Sequence, residues 1–295
     1  RGFQSIELGS SADYIFGGYD LFETRGLGPR ARPFEVELET EIQSDERRSW
    51  QVEPEFGVTY YAGEGQEYTA GFRGMWNVGS QLSFQAGFDL AWENDHVAWA
   101  ANETFRKGGD QWSIGRQSAP PEDLGPQEYK HFAPAGRLDD IFAPIAAAAP
   151  DQYFVPVYGA RDTRSLDLTM RSNVTLRPNL SVQFYGQLFL ARGKYEDFQL
   201  LQDRDTLVPF DTYPKRDAFA LSSMQINTVL RWEYRPGSTL YLVWTQGRRS
   251  DDELNPLDPR GPSPYNRSMD RQIQEVFDIF PRNVFLVKLD YTFVR

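Results

Sequence analysis

Residues 33–43 read Pro-Phe-Glu-Val-Glu-Leu-Glu-Thr-Glu-Ile-Gln. Successive side chains of an extended strand point to opposite faces, so Phe34, Val36, Leu38 and Ile42 share one face, and Glu35, Glu37, Glu39 and Glu41 share the other. Four carboxylates on one face can enter neither hydrocarbon nor a dry core, so that face must meet water. The next stretch continues the pattern, with Glu53 and Glu55 opposing Trp50, Val52, Phe56, Val58 and Tyr60.

The same period of two recurs along the chain. Leu180, Val182, Phe184, Gly186, Leu188 and Leu190 oppose Ser181, Gln183, Tyr185, Gln187 and Phe189. Leu82, Phe84, Ala86, Phe88, Leu90 and Trp92 oppose Gln81, Ser83, Gln85, Gly87 and Asp89. Leu166, Leu168, Met170, Val174 and Leu176 oppose Asp167, Thr169, Arg171, Asn173 and Thr175. Ile226, Leu230, Trp232 and Tyr234 oppose Asn227, Arg231 and Glu233. These alternations run for ~10–14 residues, whereas soluble strands average about 5–6 and a tilted strand crossing a bilayer needs ~9–11. The expected fold is all-β, an antiparallel transmembrane β-barrel occupying 1–295 as one domain. Candidate strands are 13–24, 33–44, 49–62, 67–78, 80–92, 95–106, 111–118, 160–176, 179–192, 217–234, 238–249 and 283–295, about twelve in all. A soluble sheet with one solvated face, as in a lipocalin-like barrel or sandwich, is the competing reading.

Loop lengths provide a second test, because membrane barrels have short turns at one end and long loops at the other. Arg177-Pro178-Asn179 and Arg235-Pro236-Gly237-Ser238 read as tight turns, whereas 193–216 and 250–282 are long and polar. With the short turns on the periplasmic side, 118–152 lies outside and 107–110, 77–80 and 45–48 lie inside. The connections near 63–66 and 93–95 are then external yet short. Asp139 is a candidate cap for a helical turn through Ile141, Phe142 and Ala146–Ala149. Ser268 is a candidate cap for a helix bearing Ile273, Val276, Phe277 and Phe280 and ending at Pro281, placed either in the mouth as a plug or on the rim.

Composition narrows the chemistry. There is no cysteine, and His96 and His131 are the two histidines, so thiolate sites are excluded and there is little room for zinc or histidine-based catalysis. A net charge of −11 repels nucleic acid. The 15% aromatic and 25% charged content suits interfacial girdles around a polar lumen. No apolar run reaches the ~18 residues of a transmembrane helix. No nucleophile elbow, phosphate loop or zinc-protease motif is present, and no cofactor, metal or catalytic residue is expected. The clustered acids Asp139-Asp140 and Asp251-Asp252-Glu253 read as solvated loops, with calcium as the alternative.

Candidate functional residues follow from the two faces. Glu35, Glu37, Glu39, Glu41, Glu53, Glu55, Arg73, Arg171, Arg231 and Glu233 are expected to line a charged lumen, with Arg161, Arg164 and Arg192 as further basic partners. A charge ladder governing passage is favoured over a glycosidase pair of carboxylates, since residues two apart on one strand are always about 6–7 Å apart. Trp50, Trp76, Trp92, Trp232, Tyr234, Trp244, Tyr291 and Phe293 are expected at membrane interfaces, with sugar stacking as the alternative.

Three stretches carry a family resemblance: 176–198 (Leu-Arg-Pro-Asn-Leu-Ser-Val-Gln-Phe-Tyr-Gly-Gln-Leu-Phe-Leu-Ala-Arg-Gly-Lys-Tyr-Glu-Asp-Phe), 230–248 (Leu-Arg-Trp-Glu-Tyr-Arg-Pro-Gly-Ser-Thr-Leu-Tyr-Leu-Val-Trp-Thr-Gln-Gly-Arg) and 283–293 (Asn-Val-Phe-Leu-Val-Lys-Leu-Asp-Tyr-Thr-Phe). They resemble an outer-membrane barrel family of unassigned function, in which the barrel usually follows a domain similar to family-9 carbohydrate-binding modules. The resemblance implies that this chain is the C-terminal portion of a larger barrel in a bacterial outer membrane. The partners it implies are membrane lipid, the barrel-assembly machinery, and either a saccharide or further protein subunits. The role expected is a non-catalytic pore, transporter or anchor, with a carbohydrate-associated membrane protein as the alternative. One departure is that Val294 and Arg295 follow the alternating aromatics Tyr291 and Phe293 at the end.

Overall fold

The computed structural model describes residues 3–13, 15, 17–24, 29–45, 47–108, 111–116, 130–132, 152–211, 213, 217–253 and 262–293. The strands are β1 (Phe3–Asp13), β2 (Tyr19–Asp20), β3 (Arg30–Ala31), β4 (Glu35–Ser44), β5 (Trp50–Tyr61), β6 (Gly65–Val78), β7 (Leu82–Gly108), β8 (Gln111–Arg116), β9 (Lys130–Phe132), β10 (Gln152–Arg177), β11 (Leu180–Asp203), β12 (Thr206–Pro209), β13 (Asp217–Arg235), β14 (Ser238–Glu253) and β15 (Arg282–Asp290). A 3-10 turn (Pro264–Asn266) and one helix, α1 (Met269–Asp278), separate the last two strands. The possible helical turn after Asp139 lies outside the described residues.

The fold is all-β and antiparallel. Ten strands pair in the order β1-β4-β5-β6-β7-β10-β11-β13-β14-β15, with β12 hydrogen-bonded to β11, β8 to β7, and β9 to β8. β1 and β15 end this path and are not paired with each other, so the described sheet is open rather than closed.

Several expectations are corrected. The stretch 193–216 is not a loop throughout, since β11 runs to Asp203 and β12 takes Thr206–Pro209. The stretch 13–24 is not one strand: β1 ends at Asp13, and among the described residues up to 24 the strand beyond it is Tyr19–Asp20, paired with β3. The stretches 80–92 and 95–106 are one strand of 27 residues. The polar run Glu93-Asn94-Asp95 reads as a turn but is a bulge. Asp95 takes a φ of 54° and donates its backbone N–H to Asp162 Oδ1 at 3.0 Å, and the register with β10 shifts beside it. A bulge absorbs an extra residue without ending the strand. The turn at 107–110 consequently belongs to the β7–β8 hairpin, at the far end of β7 from 79–81. The connections 45–49, 79–81, 178–179 and 236–237 then share one end of the sheet, and the long connections 14–34, 133–151 and 254–281 leave from the other. Of the connections at that second end, 62–64 remains short.

Strand length varies widely, but the apolar stripe does not. On one face, the alternating residues from Trp50 to Tyr60 on β5, Tyr68 to Val78 on β6, Leu82 to Trp92 on β7, Leu166 to Leu176 on β10, Leu180 to Leu190 on β11 and Met224 to Tyr234 on β13 each span eleven residues, counting both ends. Polar side chains cut the stripe off at Gln66, Asn94, Arg164 and Arg192. Among the described residues only α1 covers part of it, at Leu190 and Met224; elsewhere Leu8 is 78% exposed, Phe285 75%, Val287 69% and Phe56 56%.

Buried apolar residues lie instead beyond the stripe, where β7, β10 and β11 rise past it. Phe105, Val155, Val157, Leu200 and Phe210 form one cluster, and Val97, Tyr158 and Leu201 form another. Adjacent residues Val157 and Tyr158, like Leu200 and Leu201, serve opposite faces of this projecting wall.

α1 lies against β11, β13 and β14. Gln272 and Val276, one helical turn apart, are buried against the sheet, and Ser268 stands at the N-cap with Asp270 in the first turn. The residues beneath are Leu190, Ala220, Ser222 and Met224, all on the apolar face. The helix therefore sits on the outside of that stripe's upper edge and not as a plug on the ionic face. It stops at Asp278, leaving Phe280 beyond it.

Gly65 has a φ of 102°, and a Cβ there would lie 2.5 Å from the Asn94 carbonyl oxygen and the Asp95 backbone; at Gly63, with a φ of 74°, a Cβ would meet open space. We expect Gly63→Ala to cost about 1–2 kcal/mol from its backbone conformation, and Gly65→Ala clearly more because the β7 bulge must also shift. Urea unfolding of the two variants in parallel measures the difference.

Candidate functional site

The ionic face carries what the apolar face lacks. Its register aligns Glu7 with Glu41, Glu41 with Glu55, Glu55 with Gly71, Gly71 with Asp89, and Asp89 with Asp167. Five carboxylates thus cross six adjacent strands in a single row, broken by one glycine. Like charges directly opposite one another destabilise a sheet, so this row has no rationale in strand pairing. Gly71 has a spatial one: a Cβ at that position would lie 2.3 Å from Glu55 Oε1, so the missing side chain is where the Glu55 carboxylate lies.

A recess of about 470 Å³ is lined by Glu39, Glu41, Glu55, Asp89 and Asp167. Among the described residues the row's ion pair comes from Arg73, whose Nη2 is 2.8 Å from Glu55 Oε2 while its Nη1 reaches Glu53 Oε1 at 2.7 Å. Gln187 donates from Nε2 to Asp167 Oδ2 at 2.6 Å. A neighbouring recess of about 340 Å³ is lined by Gln43, Gln51, Glu53, Arg73, Gln85 and Arg171.

A second acidic row runs Glu37, Thr59, Glu67, Glu93 and Thr163. Ser11 donates to Glu37 at 3.3 Å, Tyr61 to Glu67 at 3.3 Å, and Thr163 to Glu93 at 2.6 Å. Arg161 closes the row with a two-pronged contact to Glu93, at 2.9 and 2.6 Å.

The lumen candidates from Glu35 to Glu233, and Arg161, lie on this face by register, but they do not form one cluster. Glu35, Glu37, Glu39, Glu41, Glu53, Glu55 and Arg73 gather on β4–β6. Arg171 sits over the Tyr185 ring at 5.3 Å, near the second recess. Arg231 and Glu233 pair with each other at 3.4 Å, far along the sheet, where Glu233 also accepts the Gly237 N–H at 3.1 Å and so holds the 236–237 turn. Arg164 and Arg192 are corrected: they pair opposite each other with the parity of Leu166 and Leu190, at the upper edge of the apolar face. Arg164 donates there to the Glu93 carbonyl and to Asn94 Oδ1. Glu7, Glu67, Asp89, Glu93 and Asp167 were missing from the candidate set. Their parity was readable in sequence, but their alignment into rows required the register.

The aromatic candidates occupy the apolar face. Trp50 pairs with Trp76 beside the short turns, Trp232 and Tyr234 meet edge-on, and Trp92 and Trp244 stand higher, Trp244 stacked on Phe285. Beyond β15, Tyr291 and Phe293 pack edge to face at 4.7 Å, and Arg235 donates to the Tyr291 hydroxyl.

Beyond both stripes, Arg30 is held in the projecting wall. Its side chain is 3% exposed, reaches Glu23 at 3.2 Å and Glu64 at 2.5 Å, and lies 4.5 Å over the Tyr158 ring. Burial opposes its charge, but Glu64 and Glu23 outweigh that and raise its pKa. Nearby His96 packs its ring 4.3 Å from that of Tyr61, with Nδ1 buried and unpartnered. Burial lowers the His96 pKa to about 4, against the opposing pull of Glu93. Unfolded histidine titrates near 6.5, so between about pH 6.5 and 4 the unfolded chain binds a proton that the folded chain refuses. Stability contributed by neutral His96 is full above pH 6.5 and lost as pH falls toward 4. We expect unfolding free energy to drop by up to about 3 kcal/mol over that range, and His96→Phe to flatten the drop, in urea titrations at successive pH values.

No group of three or more His, Asp or Glu among the described residues is arranged to hold a metal ion. Asp251 and Asp252 are instead taken up by Arg249 and Arg267.

Comparison with known proteins yields one family match: the family described as Domain of unknown function (DUF5916) matches residues 146–293. No curated protein and no solved structure matches.

Proposed function

The chain belongs to the family described as Domain of unknown function (DUF5916), and from its geometry we propose that it forms part of the wall of a bacterial outer-membrane β-barrel with an acidic, cation-favouring lumen. The observation that carries this reading is the eleven-residue apolar stripe, constant on six strands of 12 to 27 residues and backed by carboxylate rows. Eleven residues span about 36 Å along a strand, or about 25 Å at a 45° tilt, the height of a membrane barrel's apolar band. Nothing in water explains an uncovered apolar face of that size, since soluble monomers rarely expose more than a few hundred Å² in one patch. This weighs against a soluble sandwich or lipocalin-like module.

The ionic face becomes the lumen wall. A row of carboxylates with one ion-paired member attracts cations and repels anions, which supports a pore or transporter for cationic or polar solutes over a passive anchor. Tryptophans Trp50, Trp76, Trp92, Trp232 and Trp244 lie on the opposite face, which disfavours them as sugar-stacking platforms in the lumen and supports interfacial girdles. In lipid, unpaired strand edges are untenable, so β1 and β15 require partners. Further strands of a wider cylinder supply them. The assembly machinery that inserts such barrels is the partner proposed for the terminal aromatics Tyr291 and Phe293.

Leu168 lies mid-stripe, opposite Phe88 and Leu188, while its neighbour Thr169 faces the lumen. We expect Leu168→Arg to weaken folding into vesicles by about 2–4 kcal/mol and Thr169→Arg to be tolerated, read by urea titration in lipid. Equal effects, or the reverse order, would overturn the membrane assignment. The lumen reading is tested in planar bilayers: the variant Glu41→Gln, Glu55→Gln, Asp89→Asn should lower the potassium-to-chloride permeability ratio relative to the parent protein. An unchanged ratio would remove the acidic row from the permeation path.

A further inference from the structure

α1 presents a second surface. Its inner side, Gln272 and Val276, is used up against the sheet, and Gln272 Nε2 reaches the Ala191 carbonyl at 3.4 Å. Its N-terminal end is fastened by Arg267, which pairs with Asp252 and, at 3.1 Å, with Glu275. Its C-terminal end is fastened by Arg248, which donates to the Phe277 carbonyl and lies 5.8 Å over the Phe277 ring. A helix tied at both ends holds its outer side in a fixed position. That side carries Asp270, Arg271, Gln274, Asp278 and Phe277, which is 55% exposed; Phe280, just past the helix, is 91% exposed.

These rings are not isolated. Residues Arg248, Gln246 and Trp244 step down one face of β14, and Trp244 stacks on Phe285 of β15 at 6.3 Å and 10°. Phe285, Val287 and Leu289 continue the apolar stripe below. Phe277, beside Arg248, therefore stands above Trp244 and Gln246 on the apolar side of β14, and Phe280 follows it in the short segment that leads into β15.

We propose that α1 and the segment through Phe280 form a membrane-interface element, seating Phe277 and Phe280 among the outer-leaflet acyl chains just below the headgroups while Gln274 and its polar neighbours stay in water. The proposal rests on the membrane-wall reading above and names lipid as the occupant. Apolar rings under a charged helix face are the pattern of helices that lie in an interface. On this view the sheet's short stripe on β14 is completed by the helix, not by the strand.

The chain contains no cysteine, so single substitutions give unique labelling positions within it. Phe280→Cys, Val287→Cys and Gln274→Cys, each at an exposed position, are labelled with an environment-sensitive fluorophore in the protein reconstituted into phosphatidylcholine vesicles carrying doxyl groups at shallow or deep acyl positions. The expected result is loss of fluorescence at 280 with the shallow quencher more than the deep one, loss at 287 with the deep one, and no loss at 274. Quenching at 287 with none at 280 overturns the interface proposal and leaves the membrane wall standing. Quenching at 274 equal to that at 280 overturns it as well, since the helix would then be submerged. Absence of quenching at 287 removes the membrane wall, and the proposal with it.

Discussion

The structure turns on an apolar face that, among the described residues, no protein layer covers except where α1 lies on its upper edge. Hydrophobic burial drives folding in ordinary domains by bringing two such faces together, and here the main sheet has only one. Its stripe keeps the same eleven-residue height on strands whose lengths differ more than twofold, so the constraint comes from outside the sheet and not from strand pairing. A surrounding hydrocarbon slab of fixed thickness is such a constraint. The sharp limits at Asn94, Arg164 and Arg192 fit it, because each marks where the backbone continues but the apolar side chains cease.

The opposite face follows from the same requirement. If lipid takes the apolar side, the ionic side must enclose its own water, and the carboxylates of β1, β4, β5, β7 and β10 can remain charged there. Their alignment in rows is energetically adverse for the sheet alone, with Arg73 and Arg161 offsetting it at two points. In the reading proposed above, that row acts on ions in the water it faces. Beyond the stripe the rules revert to those of soluble proteins: clusters around Phe105 and Tyr158, the buried Arg30 with its two carboxylates, and a neutral His96 packed on Tyr61.

Much of this was legible in the residues. A period of two with carboxylates on one face specified the antiparallel sheet, the two faces and the short turns at Pro178 and Pro236-Gly237, because side-chain direction in a strand is set by local geometry alone. The split of β7 at Asp95 was misread, since a bulge and a turn use the same polar residues and differ only in whether a neighbouring strand continues past them. Charge points Arg164 and Arg192 to the ionic face while parity points them to the apolar one, and parity prevails at the stripe's edge, where an arginine can sit on the apolar side and reach polar backbone.

The sequence by itself determined which side of each strand is greasy and which is ionic, because alternation needs no knowledge of neighbours. The tertiary structure alone decided which residues stand level with one another. Whether Glu41, Glu55, Asp89 and Asp167 form a row or are scattered depends on register, a long-range property of strand pairing, and a shift of two residues would leave every face intact while dissolving the row. The seat of α1 is likewise set by packing: its helical period predicts an apolar side, but only the sheet beneath, where Leu190, Ala220 and Met224 are buried, fixed where that side went.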